Sequence, residues 1–141
     1  MRKRTRAREL ALQILYQIDL RDLDVAAELD ELLLASDEPE DVREFARELV
    51  SGTVEGVVEA DERITVVAEH WDIGRMAAID RNILRMAVFE MLARPDIPRK
   101  VSINEAIDLG KKFSTENSGA FINGILDRIR SQIEREREEE R

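Results

Sequence analysis

The chain has 141 residues, no cysteine, one histidine, and 22 Lys and Arg against 31 Asp and Glu. It is long enough for a single domain with its own hydrophobic core, and the lack of cysteine excludes disulfides, thiolate metal sites and a nucleophilic thiol. No apolar run approaches the roughly 18 residues that cross a bilayer. The basic start runs into Glu9-Leu10-Ala11-Leu12-Gln13 without a signal-peptide core, so a cytoplasmic location is expected.

The charge is unevenly distributed. Arg2, Lys3, Arg4, Arg6 and Arg8 all precede Glu9, the first acid. They are five of the 22 cations, so the rest of the chain carries 17 positive and 31 negative charges. A compact basic end on an acidic body is a footprint for phosphate contact.

Helical periodicity runs nearly throughout, and no period-2 run is long enough for a strand. The first helix is expected from about Arg6 to Leu20, with Ala7, Leu10, Ala11, Ile14, Leu15 and Ile18 on one face and Thr5 as its cap. A second helix, Val25 to Leu34, is capped by Asp24. Ser36-Asp37-Glu38-Pro39 opens a long helix with Pro39 where no N–H donor is needed. Its stripe is Val42, Phe45, Leu49, Val50 and Val57, and it continues past a bend or break near Ala60-Asp61 through Ile64 and Val67. Gly52 and Gly56, four apart between charged flanks, read as close approach to a neighbouring helix rather than as hinges.

The segment Ile83 to Leu92 is apolar almost all round, interrupted mainly by Arg81, Arg85 and Glu90. Such a helix is central and covered on several sides. Ser102-Ile103-Asn104-Glu105 reads as a capping box opening a helix that reaches Phe113. After the polar turn 114–117, a last helix carries Phe121, Ile122, Ile125, Leu126, Ile129 and Ile133. The expected fold is all-α: one globular bundle of six or seven helices in two packed subgroups around the helix near residues 79–93. Its domain spans residues 1–133, and the Glu-Arg run of 134–141 forms a charged tail.

No constellation supports catalysis. His70, beside Trp71, reads as a core-edge residue, and the residue three before it is Val67 rather than the Glu that a carboxylate di-metal bundle pairs with His. The phosphate-cradling loop and the Gly-x-Ser-x-Gly elbow are absent. No metal or organic cofactor is expected.

For the basic arm, a solvated terminus or an arm lying on the protein's own acidic surface stands beside the nucleic-acid reading. With Thr5 as cap, the arginines face the positive end of the helix dipole, at a cost of roughly 0.3–1 kcal/mol each when exposed. A phosphate chain reverses that cost. Five neutralised phosphates on a single strand give a log–log salt slope of about -3.5. Companions lie elsewhere: Tyr16, then Lys111, Lys112 and Phe113, then Ser118-Gly119 at a helix start, then Phe121. Tyr and Phe can stack unpaired bases, and each also has a packing explanation.

Four segments in order resemble the NusB family of transcription antitermination proteins. They are Arg6-Ala7-Arg8-Glu9-Leu10-Ala11-Leu12-Gln13-Ile14-Leu15-Tyr16, Ile79-Asp80-Arg81-Asn82-Ile83-Leu84-Arg85-Met86-Ala87, Lys100-Val101-Ser102-Ile103-Asn104-Glu105-Ala106 with Lys111-Lys112-Phe113, and Ser118-Gly119-Ala120-Phe121-Ile122-Asn123-Gly124-Ile125-Leu126-Asp127. The resemblance implies two packed helical subdomains and a non-enzymatic role. It implies binding of single-stranded box A RNA in ribosomal transcripts, together with the small-subunit ribosomal protein that serves as Nus factor E, within an RNA polymerase antitermination complex. By position it assigns RNA contact to Arg2, Lys3, Arg4, Arg6, Arg8 and Tyr16, and a second RNA-facing region to Lys112, Phe113, Asn117, Ser118 and Phe121. Asp80, Arg81 and Arg85 match the central helix, where partner and RNA surfaces meet in the family, and are assigned to the protein partner. Asn82 and Asn123 read equally as buried amides bonding backbone between helices.

Two departures weaken the second region: Ala120 stands where the family often has Lys, and Ser114 where Gly is common. The resemblance also extends to the start of some ribosomal RNA cytosine methyltransferases. That reading needs a following catalytic domain with a nucleophilic cysteine, and a helical module contacting only protein is a third reading. Family members resembling this chain occur as monomers or homodimers.

Overall fold

A computed structural model of the chain describes residues 2–69 and 71–140. The reading of His70 therefore lies outside the described residues. Among those residues are seven α-helices, one 3₁₀ turn and no strand, as the periodicity requires. They form two compact units, one closing at Glu55 and the other opening at Gly56.

The first unit holds α1 (Lys3–Arg21), α2 (Val25–Ala35) and α3 (Glu40–Glu55). α1 packs along α3, and α2 against α3. Ala7, Ala11, Leu12, Ile14 and Leu15 are buried on α1, as are Val42, Phe45, Ala46, Leu49, Val50 and Thr53 on α3. α1 opens three residues earlier than the periodicity indicates. Arg2 sits at its cap in extended backbone with no side-chain capping bond, and the Arg2 carbonyl accepts from the Arg6 N–H at 3.1 Å. Thr5 is thus inside the first turn, because the apolar pattern marks only where a helix becomes buried, while Arg and Lys extend it at little cost. Asp24 caps α2 as expected, accepting from the Ala26 N–H at 3.1 Å. Asp22 and Asp37 take the left-handed region at φ 50° and 57° and turn the chain at these two corners.

The second unit holds α4 (Val57–Val67), the 3₁₀ turn Ile73–Arg75, α5 (Ala78–Ala93), α6 (Arg99–Phe113) and α7 (Ser118–Glu139). The break expected near Ala60-Asp61 falls at Gly56, whose φ of -95° and ψ of 14° leave the helical well. Glycine loses the most backbone freedom in a helix and is the weakest link of the run. Val57 consequently lies half-buried on α4, and Thr53 takes the next buried position of the α3 stripe.

α5 packs against α4, α6 and α7, the covering that its all-round apolar surface demands. Ile83, Leu84, Val88 and Met91 are at most 1% exposed, each worth roughly 1.5–3 kcal/mol by burial. Glu90 is buried with them rather than marking a polar face, and its Oε1 accepts from the Ser102 Oγ at 2.9 Å. The capping box is not formed. α6 starts at Arg99 with the Pro98 carbonyl accepting from the Val101 and Ser102 N–H groups, so Ser102 lies one turn inside and is free to turn to α5. Asn82 is buried, but its amide donates to Ala78 of its own helix at 2.9 Å, and Asn123 is exposed. The Glu-Arg run stays helical to Glu139, with Arg63 of α4 donating to both Glu136 oxygens at 2.8 and 3.1 Å. No described helix is long and apolar enough to cross a membrane.

Candidate nucleic-acid interface

In the first unit, the basic arm is an ordered helical turn. Its first turn contains no acid, so the positive end of the α1 dipole is left to its cations. Arg2, Lys3 and Arg4 are exposed. Lys3 donates to Asp41 Oδ2 at 2.8 Å, and this bond holds the exposed Asp41 carboxyl below its usual range. Arg6 donates through Nε and Nη2 to Glu38 Oε2 at 3.0 and 2.7 Å. The guanidiniums of Arg4 and Arg8 lie 5.2 and 5.4 Å from the centre of the Phe45 ring, an arrangement favoured by the ring quadrupole. Arg8 is only 2% exposed. The five cations therefore differ: three sit on the surface, one is partly covered beside Glu38, and one is a core residue. Tyr16 is half-buried two to three turns further along α1.

In the second unit, Asn117, Ser118 and Phe121 of the later group line one cleft at the first turn of α7, while Lys112 and Phe113 stand at the end of α6. Phe121 and Trp71 meet edge to face, with ring centres 5.7 Å apart at 71°. They line a surface cleft of about 390 Å³ with Arg75, Met76, Asp80 and Asn117. Asn117 is exposed at the α7 cap and makes no side-chain capping bond. Ser118 is buried, with its Oγ 2.9 Å from Ser114 Oγ and 3.3 Å from Asp80 Oδ2. It also accepts from the Thr115 N–H at 3.2 Å, so its hydroxyl organises the turn. Lys112 is exposed on α6, with Nζ 5.3 Å from the centre of its neighbour Phe113.

On α5, Arg85 grips Asp61 of α4 through two bonds of 2.8 and 2.9 Å. Arg81 donates to the Ile73 and Met76 carbonyls at 3.4 and 3.3 Å. Both arginines fix the second unit, and Asp80 reaches the α7 turn through Ser118. The residue missed by the sequence reading is Trp71. Its signal was legible: the chain's only tryptophan, in a polar stretch between helices. Among the described residues no group of three or more His, Cys, Asp or Glu side chains could hold a metal ion.

A model of the NusB family matches residues 5–131. The transcription antitermination protein NusB of Geobacter sulfurreducens is 52% identical over 135 residues, covering 94% of this chain and 97% of that protein. That of Desulforapulum autotrophicum is 48% identical over 133 residues, with 92% of each covered. Among solved structures, T. maritima NusB is 40% identical with a TM-score of 0.83, over 91% of this chain and 90% of that one. A crystal structure of antitermination factors NusB and NusE in complex with dsRNA contains a chain 31% identical to this one, with a TM-score of 0.82 over 94% and 98%. Matched along nearly its whole length in sequence and in fold, this chain belongs to the NusB family.

Proposed function

We propose that the chain is a non-enzymatic transcription antitermination factor, acting in the cytoplasm, that binds box A RNA of ribosomal transcripts together with the ribosomal protein serving as NusE. The observation that carries this reading is the acid-free first turn of α1, with Arg2, Lys3 and Arg4 on the surface, in a member of a family whose solved complexes include NusE and RNA. The arm supplies phosphate contact. Tyr16 belongs with the arm, and the group Lys112, Phe113, Asn117, Ser118 and Phe121 supplies the second RNA-facing region, in which Ser118 shapes the turn. The partner surface is assigned to the α5 segment bearing Asp80, Arg81 and Arg85. Base contacts and the protein partner together give sequence preference, because phosphate contacts carry none.

A binding titration tests this, using single-stranded box A RNA, a scrambled strand and a duplex of the same sequence, each with and without the ribosomal protein. The single-stranded box A RNA binds tightest, and the ribosomal protein strengthens it. Equal affinity for all three RNAs under every condition sinks the reading.

A further inference from the structure

Six aromatic residues are present in the whole chain, and two of them meet at one surface cleft. Trp71 is 56% exposed there. A tryptophan is among the most strongly buried residues on average, and leaving this much of one in water forgoes a large hydrophobic gain. Its ring is nonetheless set in place. The Trp71 backbone N–H donates to the Ala68 carbonyl at 2.9 Å and fixes the chain at this point, while the ring packs edge to face on Phe121, which rides on the first turn of α7.

The surroundings of the cleft fit a nucleotide. Arg75 and Asn117 on its wall are both exposed, offering a cation for a phosphate and an amide for a base edge. Asp72, the nearest acid in sequence, accepts at its Oδ1 from the Gly74 N–H at 2.9 Å, and Asp80, the carboxylate on the cleft wall, accepts at its Oδ2 from the Ser118 Oγ at 3.3 Å. The Lys111 side chain lies over the start of α7, where a Cβ placed on Gly119 would stand 3.2 Å from Lys111 Cε. The buried Met76 provides an apolar floor. The cleft volume of about 390 Å³ falls at the small end of the range for ligand pockets.

We propose that Trp71 is an RNA-contacting residue, stacking one unpaired base of the bound strand against the face it leaves exposed beside Phe121. This rests on the RNA-binding reading above and adds to it a residue outside the set read from the sequence. Base–aromatic stacking corresponds to roughly a 5- to 150-fold effect on affinity. With part of the Trp71 face already in contact with Phe121, about tenfold is expected for Trp71→Ala. Trp71→Phe retains most of the binding, and Trp71→Leu, apolar but without a π-face, falls with Trp71→Ala.

The experiment combines two readouts on the full chain with its ribosomal protein partner. Anisotropy of end-labelled box A RNA reports binding. Emission from Trp71, taken as the difference between the wild-type complex and the Trp71→Phe complex, reports contact at this residue. Quenching of that emission at the RNA concentrations where anisotropy rises, together with the Ala and Leu losses, is the expected result. Normal anisotropy titrations for Trp71→Ala, within twofold of wild type, with unquenched Trp71 emission overturn the inference and leave the RNA-binding reading standing. Absence of binding to any RNA overturns both.

Discussion

Neutralising the exposed part of the arm, with Arg2, Lys3 and Arg4 all changed to Gln, gives a number that the structure constrains. Five cations on a single strand set a salt slope of about -3.5. Arg8 is buried against the Phe45 ring and does not reach a phosphate, so the arm accounts for at most four, or about -2.8. The triple change leaves only Arg6, whose share is about -0.7. Between 50 and 200 mM salt, the arm of the wild-type protein thus accounts for about a 50-fold loss of affinity and that of the variant for about threefold. Contacts elsewhere add equally to both proteins, so the difference of about 2 in slope isolates the arm. The assay is a salt series of box A RNA titrations, with circular dichroism as the folding control. All three side chains are exposed, and Gln is a good helix former, so helix content stays constant. A slope that changes by less than about 0.5 refutes the phosphate role of the arm. Deleting residues 1–8 is the poorer experiment, because it removes buried Ala7 and Arg8 from α1 along with the charge.

Gly110→Ala destabilises the second unit by about 1–3 kcal/mol through overpacking, since the new Cβ would stand 2.6 Å from Cδ1 of the fully buried Ile122; thermal denaturation measures it, and an unchanged midpoint contradicts the packing described. Ser102→Ala removes the 2.9 Å bond to the Glu90 carboxyl and costs about 1–3 kcal/mol in denaturant unfolding, whereas Ser102→Thr, which keeps the hydroxyl, loses less. The Glu136 carboxyl is held below its ordinary value chiefly by the hydrogen bond from Arg63, with Coulombic attraction adding to it and burial opposing it. Its contribution is therefore present above the unfolded-state pKa near 4.5 and is lost as pH falls through the lower folded-state value. The Glu136 side chain is half exposed, so solvent screening keeps the pair to less than about 1 kcal/mol, and Glu136→Gln slightly flattens the stability profile below pH 5 and leaves its neutral-to-basic side parallel to wild type.

Helix existence was legible from the sequence because burial on a helix repeats at its own period: the α1, α3 and α7 stripes and the apolar girth of α5 all follow from it. Helix starts were not, wherever a polar side chain had a better partner than the local cap. Ser102 matches a capping box in spelling, yet Pro98 opens α6 a turn earlier and leaves the hydroxyl to Glu90. Gly56 had the right chemistry for the break, but a spacing argument gave it to helix packing. In the candidate site, the arm and the convergence of Asn117, Ser118 and Phe121 on one turn were visible as motifs. The separation of Arg8 from its neighbours was not, because it depends on Phe45, distant in sequence and brought beside it by the packing of α1 on α3. Trp71 is legible as the chain's only tryptophan, but its pairing with the Phe121 ring, fifty residues away along the chain, is not.

That separation of the arm cations bears on how a polyanion is met. A disordered basic tail must be ordered on binding, and that conformational loss offsets part of each phosphate contact. Here residues 3–8 are already helical within α1, with Arg8 beneath Phe45 as their anchor. Arg6 and Lys3, however, already have carboxylates in Glu38 and Asp41. A phosphate approaching these two replaces an existing partner, and the net gain is the difference between two charge-assisted bonds. Arg2 and Arg4 face no carboxylate at such distances among the described residues. Initial attraction therefore centres on these two, and the contribution of Lys3 and Arg6 depends on geometry: only a backbone whose next phosphates arrive in register with Glu38 and Asp41 can exchange with them. An arm that reads as bare positive charge in the sequence thus becomes, once folded, a surface on which the path of the strand matters as well as its charge.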